Sequence, residues 1–219
     1  MVMQRIPALL AVFSLGLLGV AQAASVRGDE FAQALRARPD LAHGAQLFVG
    51  CTACHGSDGG GESNGSVPRI AGQHASVLVK QLVDFRNGQR WDLRMEQVAS
   101  RHSLLDPQAI ADVAGFVATQ AAALPAAIGT GENLRHGASV FLALCADCHG
   151  AVGLGDATTR VPRLAGQHAP YLMRQMQEGA GGGRPNMVAS HRALLNRLDV
   201  QDYAGIADYL ARMSPAPLN

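Results

Sequence analysis

Cys51-Thr52-Ala53-Cys54-His55-Gly56 is answered 94 residues later by Cys145-Ala146-Asp147-Cys148-His149-Gly150, and these two hexads hold all four cysteines of the 219-residue chain. The same offset joins Val67-Pro68-Arg69-Ile70-Ala71-Gly72-Gln73-His74-Ala75 to Val161-Pro162-Arg163-Leu164-Ala165-Gly166-Gln167-His168-Ala169, identical at eight of nine positions. Upstream, Leu41-Ala42-His43-Gly44-Ala45 matches Leu134-Arg135-His136-Gly137-Ala138 at an offset of 93, and downstream Asp106 to Val117 matches Asp199 to Leu210. A duplication this long predicts two like domains. A solenoid would need three or more short repeats. The expected division is an N-terminal domain over 24–120, a linker over 121–132 and a C-terminal domain over 133–219. Ala121 to Gly131 is small, uncharged and broken by Pro125 and Gly129, which is linker composition.

The pattern is helical throughout. Asp40 and Asn133 stand where an N-cap would open a helix running into the first Cys of each pair. A second helix is expected over about Gln73 to Asn87 and Gln167 to Glu178. A third starts at Asp106, with Pro107 in its first turn, or at Asp199. It carries Ile110, Val113 and Val117, or Tyr203, Ile206 and Leu210, on one face. No stretch alternates as a half-buried strand would.

Each cysteine pair is a Cys-x-x-Cys-His unit, the attachment pattern for c-type haem. Two thiols one helical turn apart reach the two vinyl groups of one porphyrin, and the adjoining imidazole then lies under the iron. Zinc would want the pairs about 15–20 residues apart and gives no reason for a histidine after both. A thioredoxin-like motif would want a βαβ context, and disulfides would leave both histidines unexplained. Cys51, Cys54, Cys145 and Cys148 are therefore the expected haem attachments, with His55 and His149 as proximal ligands. For the opposite faces the candidates are Met95, Met173, Met176, Met187 and Met213, with His74, His102, His168 and His191. Met173 and Met176 fall on an amphipathic helix opposite Val79 and Leu82, which reads as core. Met95 and Met187 follow their histidines by 40 and 38 residues, each in an expected loop that leads into Val-Ala-Ser. A thioether duplicated in this way suits haem iron in electron transfer. His74 and His168 open a helix and are expected to bond locally; His102 and His191 do not align.

Composition narrows the class. The chain has 18 basic and 17 acidic residues, a single lysine (Lys80) and 5% aromatics. Near-neutral charge argues against a nucleic-acid binder, and few aromatics hint that a cofactor fills part of the interior. Met1 to Ala23 has the order of a secretory signal peptide: Arg5, an apolar run from Ala8 to Val20, then Ala21-Gln22-Ala23. A 13-residue run is short of the roughly 20 needed to span a bilayer. Cleavage after Ala23 and export are expected.

On these residues the chain resembles the cytochrome c4 family, tandem dihaem proteins, over nearly all of its mature length. The resemblance implies an all-α fold of two class I cytochrome c domains related by pseudo-twofold symmetry and two covalent haem c groups, in the periplasm. It implies Met95 and Met187 as sixth ligands, and Pro68 and Pro162 as the carbonyls that receive the proximal imidazoles. Gly44 and Phe48, or Gly137 and Phe141, would lie where the first helix crosses the last, near Phe116 or Tyr209. Arg90 and Arg184 would be candidates for the haem propionates. The implied activity is electron transfer between respiratory-chain or dehydrogenase donors and a terminal oxidase or reductase, with no nucleic acid, no small-molecule substrate and at most loose membrane association. A dihaem peroxidase or thiosulfate dehydrogenase is the enzymatic alternative. Val77 opposite Tyr171, the replacement of Asp84-Phe85-Arg86-Asn87 by a Gly-rich loop, and the extension Ser25 to Pro39 depart from a simple repeat.

Overall fold

The computed structural model describes residues 28–122 and 125–214. The expected signal peptide, its cleavage point after Ala23 and linker residues 123–124 lie outside these. Among the described residues the chain is helical, with no strand and one isolated bridge, Asp156 to Val161.

The first domain runs α1 (28–36), α2 (Leu41–Phe48), a short 3-10 turn, α3 (Thr52–His55), α4 (Ala75–Arg86), α5 (Leu93–Val98) and α6 (Pro107–Ala118). The second repeats it without α1: α7 (Leu134–Leu144), α8 (Ala146–His149), α9 (Ala169–Ala180), α10 (Ala189–Leu195) and α11 (Val200–Ala211). Asp40 caps α2 by accepting from the Ala42 and His43 N–H groups, and Asp106 caps α6 through Ala109. Asp199 and Asp202 form a reciprocal box at the start of α11. Asn133 does not cap α7 with its side chain. Its backbone is at φ −102°, ψ 16°, not in the extended region from which a cap side chain reaches forward. The α4 and α9 helices start two residues later than expected, because His74 and His168 have extended ψ values of 128° and 126°.

In each half the first and last helices cross at glycine. A Cβ at Gly44 would lie 2.1 Å from the Asp112 carbonyl oxygen, and one at Gly137 would lie 1.9 Å from the Gly205 carbonyl carbon. No other residue lets the two backbones come so close. Beside the crossings, Phe48 meets Phe116 at 5.5 Å between ring centres and Phe141 meets Tyr209 at 5.9 Å. Ile110, Val113 and Val117 anchor the first core, and Phe141, Ile206 and Leu210 the second. Met173, Met176 and Met213 pack against the second core.

The N-terminal extension is an integral part of the first domain. Phe31 and Ala34 of α1 pack on its core, and buried Glu30 accepts from Arg86 Nη1 at 2.6 Å and pairs with Arg101 at 3.1 Å. Asn87 also donates to Glu30. Arg86 and Asn87 belong to the stretch that the second repeat replaces with glycines, and the second repeat has no α1 to hold.

The two halves are joined by more than the linker. Gln73 Nε2 donates to the Arg163 carbonyl at 2.9 Å while the Arg163 N–H donates to Gln73 Oε1 at 2.9 Å. The mirror pair is Gln167 Nε2 to the Arg69 carbonyl at 2.7 Å and Arg69 N–H to Gln167 Oε1 at 3.0 Å. His74 bonds the Leu154 carbonyl and His168 the Gly60 carbonyl, each at 2.8 Å and each in the opposite domain. The expectation of local bonding by these histidines is thereby corrected. Their helices open against the other domain, whose loop carbonyls are the nearest acceptors.

Candidate haem sites

The last four residues of each Cys-x-x-Cys-His unit form a single helical turn, α3 or α8, with Cys51 or Cys145 at its N-cap and a glycine at φ 77°, Gly56 or Gly150, ending it. Cys51 and Cys145 are half-buried, Cys54 and Cys148 are exposed, and none of the four is in a disulfide. Both histidines are buried. His55 Nδ1 lies 3.0 Å from the Pro68 carbonyl and His149 Nδ1 lies 3.1 Å from the Pro162 carbonyl. Such a bond fixes the tautomer with the proton on Nδ1 and leaves Nε2 as the donor to a metal. Burial holds both imidazoles below their ordinary titration range, against the opposing pull of the proline carbonyls. The neutral form is the one that ligates.

A glycine absent from the sequence-based set builds this geometry. Gly61 and Gly155 are at φ 77° and 68°, and a Cβ on either would lie 2.3–2.6 Å from the Val-Pro backbone that carries the histidine's acceptor. Their N–H groups return to the His55 and His149 carbonyls at 2.8 Å. A left-handed glycine lets the loop close beneath the proline without steric cost. The signal was present in the sequence, six residues after each histidine at the repeat offset.

The methionines are placed unequally. Met95 is on α5, whose N-cap Asp92 accepts from the Arg94 and Met95 N–H groups, so the expected loop is a helix there. Met187 precedes α10, and its thioether lies over Gly179 of α9, where a Cβ would come 2.8 Å from the sulfur. The counterpart of Gly179 is Phe85, which instead stacks under the Arg90 guanidinium at 4.6 Å. Arg90 donates to Gln81 of α4 and, across the domain boundary, to the Tyr171 hydroxyl and Gln175. Tyr171 in place of a second Val77 is explained by this contact.

The remaining polar inventory fits a porphyrin with anionic edges. Nε of Arg163, Arg184 and Arg192 is buried without a hydrogen-bond partner. Burial, and then neighbouring Arg90, push the Arg184 guanidinium down to about 10. Buried guanidinium donors left unpaired are costly and suit carboxylates. Among the described residues no three His, Cys, Asp or Glu side chains converge as an all-protein metal site. When bound, haem c supplies one-electron chemistry between ferric and ferrous iron.

The family model described as cytochrome c matches residues 41–121, and the one described as cytochrome c oxidase, cbb3-type, subunit III matches residues 132–210. Cytochrome c4 of Pseudomonas aeruginosa is 31% identical over 207 residues, 91% of this chain and 94% of that protein. The thiosulfate dehydrogenase electron acceptor of Stutzerimonas stutzeri is 33% identical over 178 residues, 75% of this chain and 79% of that protein. The crystal structure of reduced recombinant cytochrome c4 from Pseudomonas stutzeri superposes with a TM-score of 0.71 at 24% identity, covering 81% of this chain and all of that one, a likeness of fold. Both halves are thus cytochrome c domains, each with its own haem c attachment. Matched along nearly its whole length by a relative of this kind, the chain belongs to the cytochrome c4 family.

Proposed function

We propose that this electron-transfer cytochrome works in the periplasm, with its iron atoms held by His55 and Met95 and by His149 and Met187. Electrons arrive from a respiratory-chain or dehydrogenase donor and leave to a terminal oxidase or reductase. The observation that carries this reading is the doubled His-to-Pro carbonyl contact, at 3.0 and 3.1 Å, in two domains joined by reciprocal glutamine bonds. Each proximal ring is held in one orientation, so little rearrangement accompanies a change of charge, and the joined halves keep their centres in fixed relation. The resemblance to a thiosulfate dehydrogenase electron acceptor makes such a dehydrogenase one donor to try.

Domain limits at 24–120, 121–132 and 133–219 and cleavage after Ala23 complete the reading. Among the described residues no helix is long and apolar enough to cross a membrane. Optical redox titration of the mature, haem-loaded protein, with carbon monoxide added to the reduced form, tests it. Two haems with the red-edge band of methionine ligation and no carbon monoxide adduct support a carrier. A high-spin or carbon-monoxide-binding haem in the wild type would bring the enzymatic alternative forward.

A further inference from the structure

The two distal faces are not alike. In the second domain the imidazole of His191, on α10, faces that of His149 with ring centres 6.2 Å apart and planes inclined at 43°. Two imidazoles bound in line to one metal, each at about 2 Å with its ring centre about 1 Å behind the nitrogen, are separated by about 6 Å. A relative rotation of the planes is compatible with that arrangement. His149 Nδ1 is already committed to the Pro162 carbonyl, so its metal-binding nitrogen is Nε2. His191 makes no hydrogen bond among the described residues and is half-buried.

The first domain has no equivalent. Val-Ala-Ser precedes His191 in the second repeat and Arg101 in the first, and Arg101 turns away to pair with Glu30 of α1 at 3.1 Å. His102, the next residue, is exposed in a turn. The chain's sole lysine, Lys80, bonds Asp84 on its own helix.

We propose that the second haem iron has two competing sixth ligands, the Met187 thioether and the His191 imidazole, whereas the first has only Met95. This inference rests on His149 being the proximal ligand. Exchange opens an iron–sulfur bond and closes an iron–nitrogen bond. No electron moves, and the only proton involved is the one that a protonated His191 gives up to solvent. Imidazole is harder than thioether and favours the ferric state, so the exchange lowers the potential of the second haem alone.

The test uses the mature protein loaded with both haems, read by ferric electron paramagnetic resonance and the optical methionine band. In Met187→Ala the second haem stays low-spin, now with two imidazoles, while Met95→Ala turns the first haem high-spin. Met187→Ala combined with His191→Ala turns the second haem high-spin as well. Equal high-spin signals from Met187→Ala with and without the His191 change would overturn the proposal. Should Met187→Ala fail to load haem, Met187→Leu, which keeps an apolar chain over Gly179, gives the same comparison. If His191→Ala alone opens the second haem while Met187→Ala changes nothing, the histidine assignment stands and the methionine assignment falls. If neither single change nor the pair alters the second haem, both fall.

Discussion

Replacing Gln167 by alanine should loosen the backbone of the opposite domain at one named amide. Gln167 is buried and makes three hydrogen bonds: it donates to the Arg69 carbonyl, accepts from the Arg69 N–H and accepts from the His168 N–H. A typical intramolecular hydrogen bond contributes about 1 kcal/mol net, so removing two or three costs about 2–3 kcal/mol. At about 1.4 kcal/mol per factor of ten, local opening at Arg69 becomes about 30- to 140-fold more frequent. Native-state amide hydrogen exchange reads this opening residue by residue. Protection of Arg69 should fall by that factor, while Arg163, held by Gln73, should change little. Gln73→Ala should give the mirror image. If Arg69 exchanges within about threefold of wild type in Gln167→Ala, the glutamines are not what joins the halves. The reciprocal contact would then be incidental to domain packing.

Three further outcomes are expected. Gly179→Ala puts a methyl 2.8 Å from the Met187 sulfur and 2.8 Å from Leu195 Cδ1, so it should displace Met187. The methionine band of the second haem should weaken, with an overpacking cost of about 1–3 kcal/mol in denaturant unfolding. Glu30→Ala leaves Arg86, only 3% exposed, without its carboxylate and should destabilise the first domain by about 3–5 kcal/mol; an unchanged unfolding midpoint would show that α1 is dispensable. Burial pushes the Asp112 carboxyl up, but bonds from His43, the Asp40 N–H and Gln108 outweigh it and hold the group below the usual carboxylate range. The stabilisation is therefore complete above about pH 4 and is lost as the pH falls through the lower folded-state value. Asp112→Asn should flatten the acid limb of the stability curve, measured by unfolding at stepped pH.

The haem turns were legible because Cys-x-x-Cys-His is a local reach requirement, and duplication set both copies side by side. The capped starts of α6 and α11 were legible too, since an aspartate before an apolar periodicity states its own partner a few residues on. The pairing of Gly44 and Gly137 with the last helix came from the family resemblance, not from the spacing itself. What escaped was long-range. A Gln-His before a helix reads the same whether it bonds its own turn or the opposite domain, and only the fold brings Gln73 to Arg163. The partners of Arg90 escaped for a similar reason: Tyr171 and Gln175 lie 81 and 85 residues away. The short helices α5 and α10 span six and seven residues, too little for periodicity to declare them. Met95 therefore read as loop.

The glutamine contacts fall on Arg69 and Arg163, each the immediate chain neighbour of the proline whose carbonyl meets the histidine of a Cys-x-x-Cys-His unit. Each half consequently has the carbonyl that orients its haem-motif histidine steadied from the other. Cutting the chain in the linker would yield two pieces that retain every attachment residue yet have lost the abutment behind the imidazole. A change at Gln73 or Gln167 in one half is therefore felt first beside the proline of the other.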